Sequence, residues 1–536
     1  MQNGTAAAGH YPQRSSSLRV VLVASWLLRA ADRRPDHEAL SGPGYALTYA
    51  QLRTAVDLLA GELAMAGARK GERVALLLPP GRGFVLALHA VLRLGAVAVP
   101  LDPQLPAEER ARRSAGAVLT VGVADDAGGP GDGGLARANA EGLAIRPADA
   151  GKPAFADGAE SGSGRRETPL LDTHDLDAPA VVVHTSGTSG AAKPIPLTYG
   201  NWLWSAIGSA ATLGCPPDER WLCAMPLHHV GGLSVLLRSV IAGTTAVVHE
   251  GWDTERVLAT LTGTDGAASA GRTPDAPARR PTMVSLVPTT FRRLLDAGLR
   301  GPDHDLRWVL LGGAAIPAGL LEDAAAADVP VAPTYGMTEA TSQIATLGPP
   351  LFCTTVRIDD PRGGGGHGDP ADALGEDGDG SKDHRPGVAH PTTDPDVVGE
   401  ILVRGPTVAS VAVGPDGWLR TGDLGRLDER GHLTVVGRTA DTIISGGENV
   451  LPLEVERVLD RIDGVRESAV FGRPDPEWGE RVCARLIVDD PAGFDVEALR
   501  EAIRPWLAAH QRPREVEIVD ALPRTPSGKL LRRELH

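Results

Sequence analysis

The sequence has little cysteine: Cys215, Cys223, Cys353 and Cys483 are its only four. None forms a Cys-x-x-Cys pair and no Cys/His cluster has zinc spacing, so a structural metal is not expected and a reducing cytoplasm is. It also lacks a basic block. The net charge is -15 with a pI of 5.5, which argues against a nucleic-acid partner. The acidic excess reads as a solubility feature. Long apolar runs are missing as well. The longest early one, Val20 to Leu28, is too short to span a bilayer and is not followed by a small-residue cleavage site. It is expected to be a helix of a soluble protein with no membrane association. No internal repeat is visible, and no Walker Gly-x4-Gly-Lys spacing occurs.

What is present is a chain of 536 residues with 42% hydrophobic content, enough for two or more domains. Residues 1–19 are polar and Ser/Gly-rich, and are expected to be a disordered tail. Three further stretches rich in Gly, Ala, Asp, Pro and Ser (Asp125–Thr168, Thr262–Arg280 and Asp359–Asp396) read as mobile surface insertions without chemistry. Between them short apolar runs alternate with helical spacing. The runs at Arg73–Pro79, Ala96–Pro100, Ala180–His184, Thr245–Val248, Met283–Val287 and Trp308–Leu311 predict buried strands of largely parallel sheets, and Gly83–Leu94 predicts a helix. From Gly399 the texture becomes alternating strands with Gly turns, and a compact α+β tail follows Thr439.

The segment His184-Thr-Ser-Gly-Thr-Ser-Gly-Ala-Ala-Lys193 follows a β-branched strand directly. Gly187 and Gly190 permit backbone shapes that turn N–H groups inward. Thr185, Ser186, Thr188 and Ser189 add hydroxyls, and Lys193 adds a positive charge, so the loop can cradle phosphates. A solvated Ser/Gly linker is the plainer alternative; the position after a buried strand favours the phosphate loop.

This loop resembles the phosphate-binding motif of the acyl-adenylate-forming enzymes. Further motifs follow in that family's order. They are Tyr335-Gly-Met-Thr-Glu339, Gly417-Trp-Leu-Arg-Thr-Gly-Asp423, Gly437-Arg438 with Asp441 and Ser445-Gly-Gly-Glu-Asn449, and Pro523-Arg-Thr-Pro-Ser-Gly-Lys529. The resemblance runs from about Trp26 to the end. It implies an α/β fold with a large N-terminal part of stacked α/β subdomains, residues 20–438, carrying the AMP- and acyl-binding site. A small mobile α+β C-terminal domain, residues 439–536, carries the catalytic lysine. It also implies ATP and Mg2+, with coenzyme A as co-substrate and a small-molecule carboxylic acid as substrate.

Under this resemblance Thr185 to Gly190 and Lys193 cradle phosphates, and Thr338 donates to the α-phosphate. Glu339 helps hold Mg2+ as its metal ligand. Tyr335 and Gly336 flank adenine, and Gly313 with Ala314 lets the base approach the backbone. Asp423 takes the ribose hydroxyls, and Arg438 contacts ribose or phosphate. Lys529 stabilises charge at the α-phosphate, and Gly446, Gly447 and Glu448 form the loop on the coenzyme A side. Taken singly, Tyr335 could be a core tyrosine, Asp423 a turn aspartate and Lys529 a surface lysine; the joint pattern reverses those readings. Two positions depart from the family. Pro194 follows the loop lysine where glycine is usual, so the loop's end is expected to be held differently. Ala440 occupies the hinge position that usually carries Asp or Lys.

The segments Thr198–Ser209, Pro226–Val240 and Gly336–Thr346 are similar to the branch of the family that activates 2-succinylbenzoate in menaquinone biosynthesis. That acid has a ring and two carboxylates. The resemblance implies Arg238 for the spectator carboxylate, His229 lining the acyl tunnel and orienting the reacting carboxylate, and Ser342 and Gln343 for polar parts of the acid; His228 reads as packing. Another acyl- or aryl-CoA synthetase, a carrier-loading adenylation enzyme and a non-catalytic ATP-binding protein stay open on sequence. A monomer and a homo-oligomer are not distinguished.

Overall fold

The computed structural model describes residues 20–123, 137–138, 142–147, 169–185, 192–264, 279–359, 397–525 and 530–535. Two large mixed sheets dominate the first part. One runs in the order Lys193–Thr198, Pro179–Thr185, Val97–Pro100, Arg73–Leu76, Ala117–Val123, Leu143–Pro147, Arg137–Ala138. The other runs Ser342–Thr346, Val331–Met337, Trp308–Leu311, Met283–Leu286, Arg220–Cys223, Thr245–Val248, Glu38–Gly42, Tyr45–Thr48. Their central strands pair in parallel, as buried Val/Leu-rich runs joined by helices should.

Helices Tyr49–Met65, Arg82–Arg93, Tyr199–Leu213 and Val230–Ala242 share one core with both sheets, including Leu59, Leu88, Trp202 and Leu236 beside Val74, Ala98, Trp221 and Ala246. Helix Val230–Ala242 is buried from Gly232 to Ile241, so any charge on it lies in the interior. Helix Tyr199–Leu213 is opened by a capping box in which Thr198 and Asn201 satisfy each other's N–H groups.

An antiparallel sheet follows (Thr355–Asp359, Gly399–Arg404, Leu419–Leu427, Leu433–Arg438). After a 3-10 turn at Thr439–Asp441 the chain enters a separate sheet. It is built from Ile443–Ser445, Glu448–Val450, Val465–Asp475, Gly479–Val488 and Glu515–Ile518, with its own core around Val455, Val470 and Leu486. The sheets thus change over between Arg438 and Ile443.

Two expectations are corrected. The run Val20–Leu28 is not one helix. Leu22–Ala24 pairs with Thr173–Asp175 as a strand, and Ser25 N–H donates to the Asp172 carbonyl, so the helix begins only at Trp26. Within the expected insertion Asp125–Thr168, Arg137–Ala138 and Leu143–Pro147 are strands, with Leu143, Ala144 and Ile145 buried. Most of the three expected insertions, and residues 1–19, lie outside the described residues.

Candidate active site

Phosphate loop residues Ser186, Gly187, Thr188, Ser189 and Gly190 lie outside the described residues, as does Lys529; the strands and turns that present them do not. Thr185 and Lys193 face each other at the open end of an antiparallel pair, with Thr185 Oγ1 3.5 Å from the Lys193 carbonyl. The strands on either side of the phosphate motif are therefore antiparallel neighbours. Pro194 and Pro196 lie opposite His184 and Val182 on the edge strand of the sheet. Two residues apart, they turn the same way, so their missing N–H groups can both fall on the open side. Lys193, Ile195 and Leu197 keep the N–H groups that can reach the neighbouring strand. Pro194 continues the strand without costing it a ladder bond.

Strand Val331–Met337 carries Tyr335 and ends in the 3-10 turn Thr338–Ala340, which returns as strand Ser342–Thr346. Two successive non-glycine residues of this return are left-handed, Thr341 at φ 53° and Ser342 at φ 89°. Such conformations cost roughly 1–3 kcal/mol each and persist only where the surroundings enforce them. Here Thr341 Oγ1 donates to the Thr407 carbonyl at 2.6 Å, the Thr341 carbonyl accepts from Ser205 Oγ at 2.7 Å, and Ala409 N–H donates to the Glu339 carbonyl at 2.8 Å. Gly336 is needed for the fold of this turn: a Cβ there would sit 1.6 Å from the Ser342 carbonyl oxygen. Glu339 is half-buried and has no ion-pair partner among the described residues.

The adenosine-side residues converge. Tyr335 Oη donates to Asp423 Oδ2 at 2.8 Å, and Arg438 Nε lies 2.8 Å from Asp423 Oδ1. Asp423 and Arg438 are cross-strand partners, and Asp423 is only 4% exposed. Burial first, and the Asp423 carboxylate second, push the Tyr335 phenol well above its ordinary pKa. Gly313 adopts φ 82° just after Gly312, where a Cβ would collide with the Thr334 carbonyl at 2.6 Å; half-buried Ala314 follows.

Of the residues expected to meet the acid, Arg238 lies in the middle of its buried helix and is 4% exposed. Its Nη2 donates to Ser205 Oγ at 2.9 Å, while Nε and Nη1 are buried without a partner. Its guanidinium lies 5.8 Å from the Trp221 ring centre. No carboxylate pairs with it among the described residues, and burial lowers its pKa to about 9. An unpaired buried cation is costly. Gln343 is likewise buried; its Nε2 donates to Thr346 Oγ1 at 2.8 Å and its Oε1 is orphaned. Ser342 is half-buried beside it. His229 is the residue before helix Val230–Ala242, its ring 4.4 Å from that of His228, and burial followed by His228 lowers its pKa to about 4. His228 Nε2 lies 3.7 Å from Asp102 Oδ2.

Gly446 and Gly447, at φ 63° and 84°, form a two-residue hairpin between Ile443–Ser445 and Glu448–Val450, and Gly446 N–H donates to the Trp478 carbonyl. Glu448 is exposed. The Lys529 loop springs from a narrow base where Arg524 bridges Leu530 and Leu531 N–H donates to Pro523 O at 2.9 Å. Arg524 pairs with Glu467 of the small sheet, and Arg532 binds Glu456 of helix Pro452–Leu459 in a fork at 2.6 and 2.8 Å and the Val470 carbonyl of the sheet at 2.7 Å, so both flanks of the Lys529 segment are pinned.

The AMP-binding enzyme model matches residues 27–411, and the AMP-binding enzyme C-terminal domain model matches residues 454–529. The chain belongs to the AMP-binding enzymes. This AMP-binding enzyme is 35% identical over 522 residues to the 2-succinylbenzoate–CoA ligase of Listeria monocytogenes, covering 95% of this chain and 98% of the relative. Among solved structures it is similar to o-succinylbenzoate CoA synthetase of Bacillus subtilis in complex with the acyl-adenylate intermediate OSB-AMP. That likeness has a TM-score of 0.74 at 31% identity and covers 96% of this chain and 98% of the other. The same synthetase in complex with ATP and magnesium ion gives a TM-score of 0.73 at 31% identity, over 96% of this chain and all of the other. The fold expected from the sequence is therefore the one found. Among the described residues of this AMP-binding enzyme, no helix is long and apolar enough to cross a membrane, and no group of three or more His, Cys, Asp or Glu could hold a metal.

The sequence reading missed the residues that hold the site from behind. Asn201 Nδ2 donates to the Pro406 and Val408 carbonyls, and Ser205, one turn on, reaches Arg238 and Thr341. The i, i+4, i+8 spacing of polar Asn201, Ser205 and Ser209 along one side of a largely apolar helix was the available signal.

Proposed function

We propose that this chain is an ATP-dependent acid–thiol ligase that converts 2-succinylbenzoate to its coenzyme A thioester, a step of menaquinone biosynthesis. The observation that carries the acid is Arg238, a buried guanidinium with two unpartnered nitrogens and no counter-ion among the described residues. A substrate with a second carboxylate supplies the missing charge, and a planar fork suits it. The relatives' activity agrees.

In the first half-reaction a carboxylate oxygen attacks the α-phosphorus of ATP, the bond to the β-phosphate oxygen breaks and pyrophosphate leaves. Two anions meet, so fixed positive groups and donors dominate catalysis. In our reading Thr185 to Gly190 and Lys193 hold the departing phosphates, Thr338 donates to the α-phosphate and Lys529 neutralises charge growing there. Asp423 accepts from the ribose hydroxyls, Arg438 contacts ribose or phosphate, and Tyr335, Gly336, Gly313 and Ala314 border adenine. Glu339 alone fits a Mg2+ site completed by phosphate oxygens and water, the mode that ion favours over an all-protein cage. Bound there, the ion offsets phosphate charge.

His229 is neutral at pH 7, so it can line the acyl tunnel and orient the reacting carboxylate by hydrogen bonding without competing for the acid as a cation. Ser342 and Gln343 receive polar parts of the acid. In the second half-reaction the coenzyme A sulfur attacks the acyl carbon, its proton is lost and AMP leaves; Gly446, Gly447 and Glu448 border that approach. We take residues 20–438 as the nucleotide- and acid-binding domain, and 439–536 as a domain that swings about Ala440 between the two reactions. The need for ATP and coenzyme A supports a cytoplasmic location.

Incubation with ATP, Mg2+, coenzyme A and 2-succinylbenzoate, followed by mass analysis, tests this reading. The thioester and AMP are expected; thioester formation with other acids but not this one would refute the assignment of the acid.

A further inference from the structure

Ser205 is fully buried, and the motif chemistry gives it no task. Its hydroxyl accepts from Arg238 Nη2 and donates to the Thr341 carbonyl, so one oxygen joins two parts of the site. On one side is the only side-chain hydrogen bond that Arg238 makes among the described residues. On the other is a residue held left-handed, in the return between Thr338-Glu339 and Ser342-Gln343. The helix bearing Ser205 is fixed independently by Asn201, which is tied to the Pro406 and Val408 carbonyls.

We infer that Ser205 is a positioning residue that couples recognition of the acid's second carboxylate at Arg238 to the adenylate-binding turn at Thr338 and Glu339. The inference rests on the assignment of Arg238 given above. A guanidinium is planar, so a bond at Nη2 fixes where Nε and Nη1 point. Nε and Nη1 flank Nη2, so a carboxylate can take one of them together with the second N–H of Nη2. The same hydroxyl holds the Thr341 carbonyl, so the distance between the anchored end of the acid and the α-phosphate is set through Ser205. Small errors in that distance cost rate as well as affinity. The second carboxylate then acts as a ruler for the reaction, and an acid without it gains from Ser205 only the hold on the Thr341 turn.

The test compares wild type, Ser205→Ala and Ser205→Thr as full chains in ATP–pyrophosphate exchange. The acids are 2-succinylbenzoate and 3-benzoylpropionate, which keeps the ring and chain but lacks the ring carboxylate. In Ser205→Ala, kcat/KM should fall for both acids, because the Thr341 carbonyl loses its donor, but roughly tenfold or more further for 2-succinylbenzoate than for 3-benzoylpropionate, with part of the loss in kcat. Ser205→Thr, which keeps the hydroxyl, should restore the preference between the acids. That preference is a ratio within one protein, so a partly unfolded sample does not change it. Equal losses on both acids, or no loss on either, would overturn the inference. Wild type that fails on 2-succinylbenzoate but accepts another acid would refute the substrate assignment instead.

Discussion

The phenol of Tyr335 donates a 2.8 Å hydrogen bond to Asp423, 88 residues further along the chain, and Arg438 occupies the other oxygen of the same carboxylate. The carboxylate assigned to ribose is thus held rigid from both sides before any nucleotide arrives. Asp423→Asn should raise the KM for ATP about tenfold or more and Tyr335→Phe by a smaller factor, with the KM for the acid within about threefold in both. Exchange rates at varied ATP and varied acid measure this. A larger effect on the acid than on ATP would contradict the assignment.

Arg238 sets function against stability. Its burial with no counter-ion among the described residues is unfavourable in the free protein. Arg238→Met should therefore raise the melting temperature of the ligand-free protein by about 2–4 °C, while raising the KM for 2-succinylbenzoate at least about tenfold and leaving that for ATP nearly unchanged. Calorimetry with parallel kinetics decides it; a lower melting temperature would mean that Arg238 has a structural partner.

The candidate site could be proposed from the sequence because the motifs expected to bind phosphate and ribose are contiguous stretches: Gly/Ser/Thr residues after a strand, or an Asp after a Gly. Buried strands such as Thr245–Val248 and Trp308–Leu311 were legible because β-branched and Leu-rich runs stand out between turn residues. Leu143–Pro147 was not, since a short strand inside Gly/Ala-rich sequence carries almost no periodic signal. The Ser205–Arg238–Thr341 connection was invisible for another reason. It depends on three elements meeting in the core, and no local pattern encodes that meeting.

Gly336 carries a steric prediction. A Cβ there would collide with the Ser342 carbonyl, which is backbone and cannot step aside. Gly336→Ala should cost about 100-fold or more in exchange activity by displacing Thr338 and Glu339. Activity within about threefold of wild type would show that the turn is not held as described.

Asp460 gives a pH signature in the domain that carries Lys529. It accepts from Ser468 Oγ at 2.6 Å, and burial pushes its pKa up to about 7. The folded state then holds this proton more tightly than the unfolded chain. The stability so gained is fully present below about pH 4 and is lost as pH rises to 7, a total of at most about 4 kcal/mol. Asp460→Asn keeps the acceptor without the charge. It should melt higher than wild type at pH 8, by a margin that shrinks towards pH 5. A margin independent of pH would contradict the account.

The central claim is acid activation by ATP, with 2-succinylbenzoate as the acid. ATP–pyrophosphate exchange tests it most directly, with 2-succinylbenzoate, benzoate and a medium-chain fatty acid compared on wild type and Lys529→Ala. The account predicts exchange with 2-succinylbenzoate alone, lost in Lys529→Ala although ATP still binds. Equal exchange with benzoate or the fatty acid, or full exchange by Lys529→Ala, would contradict it.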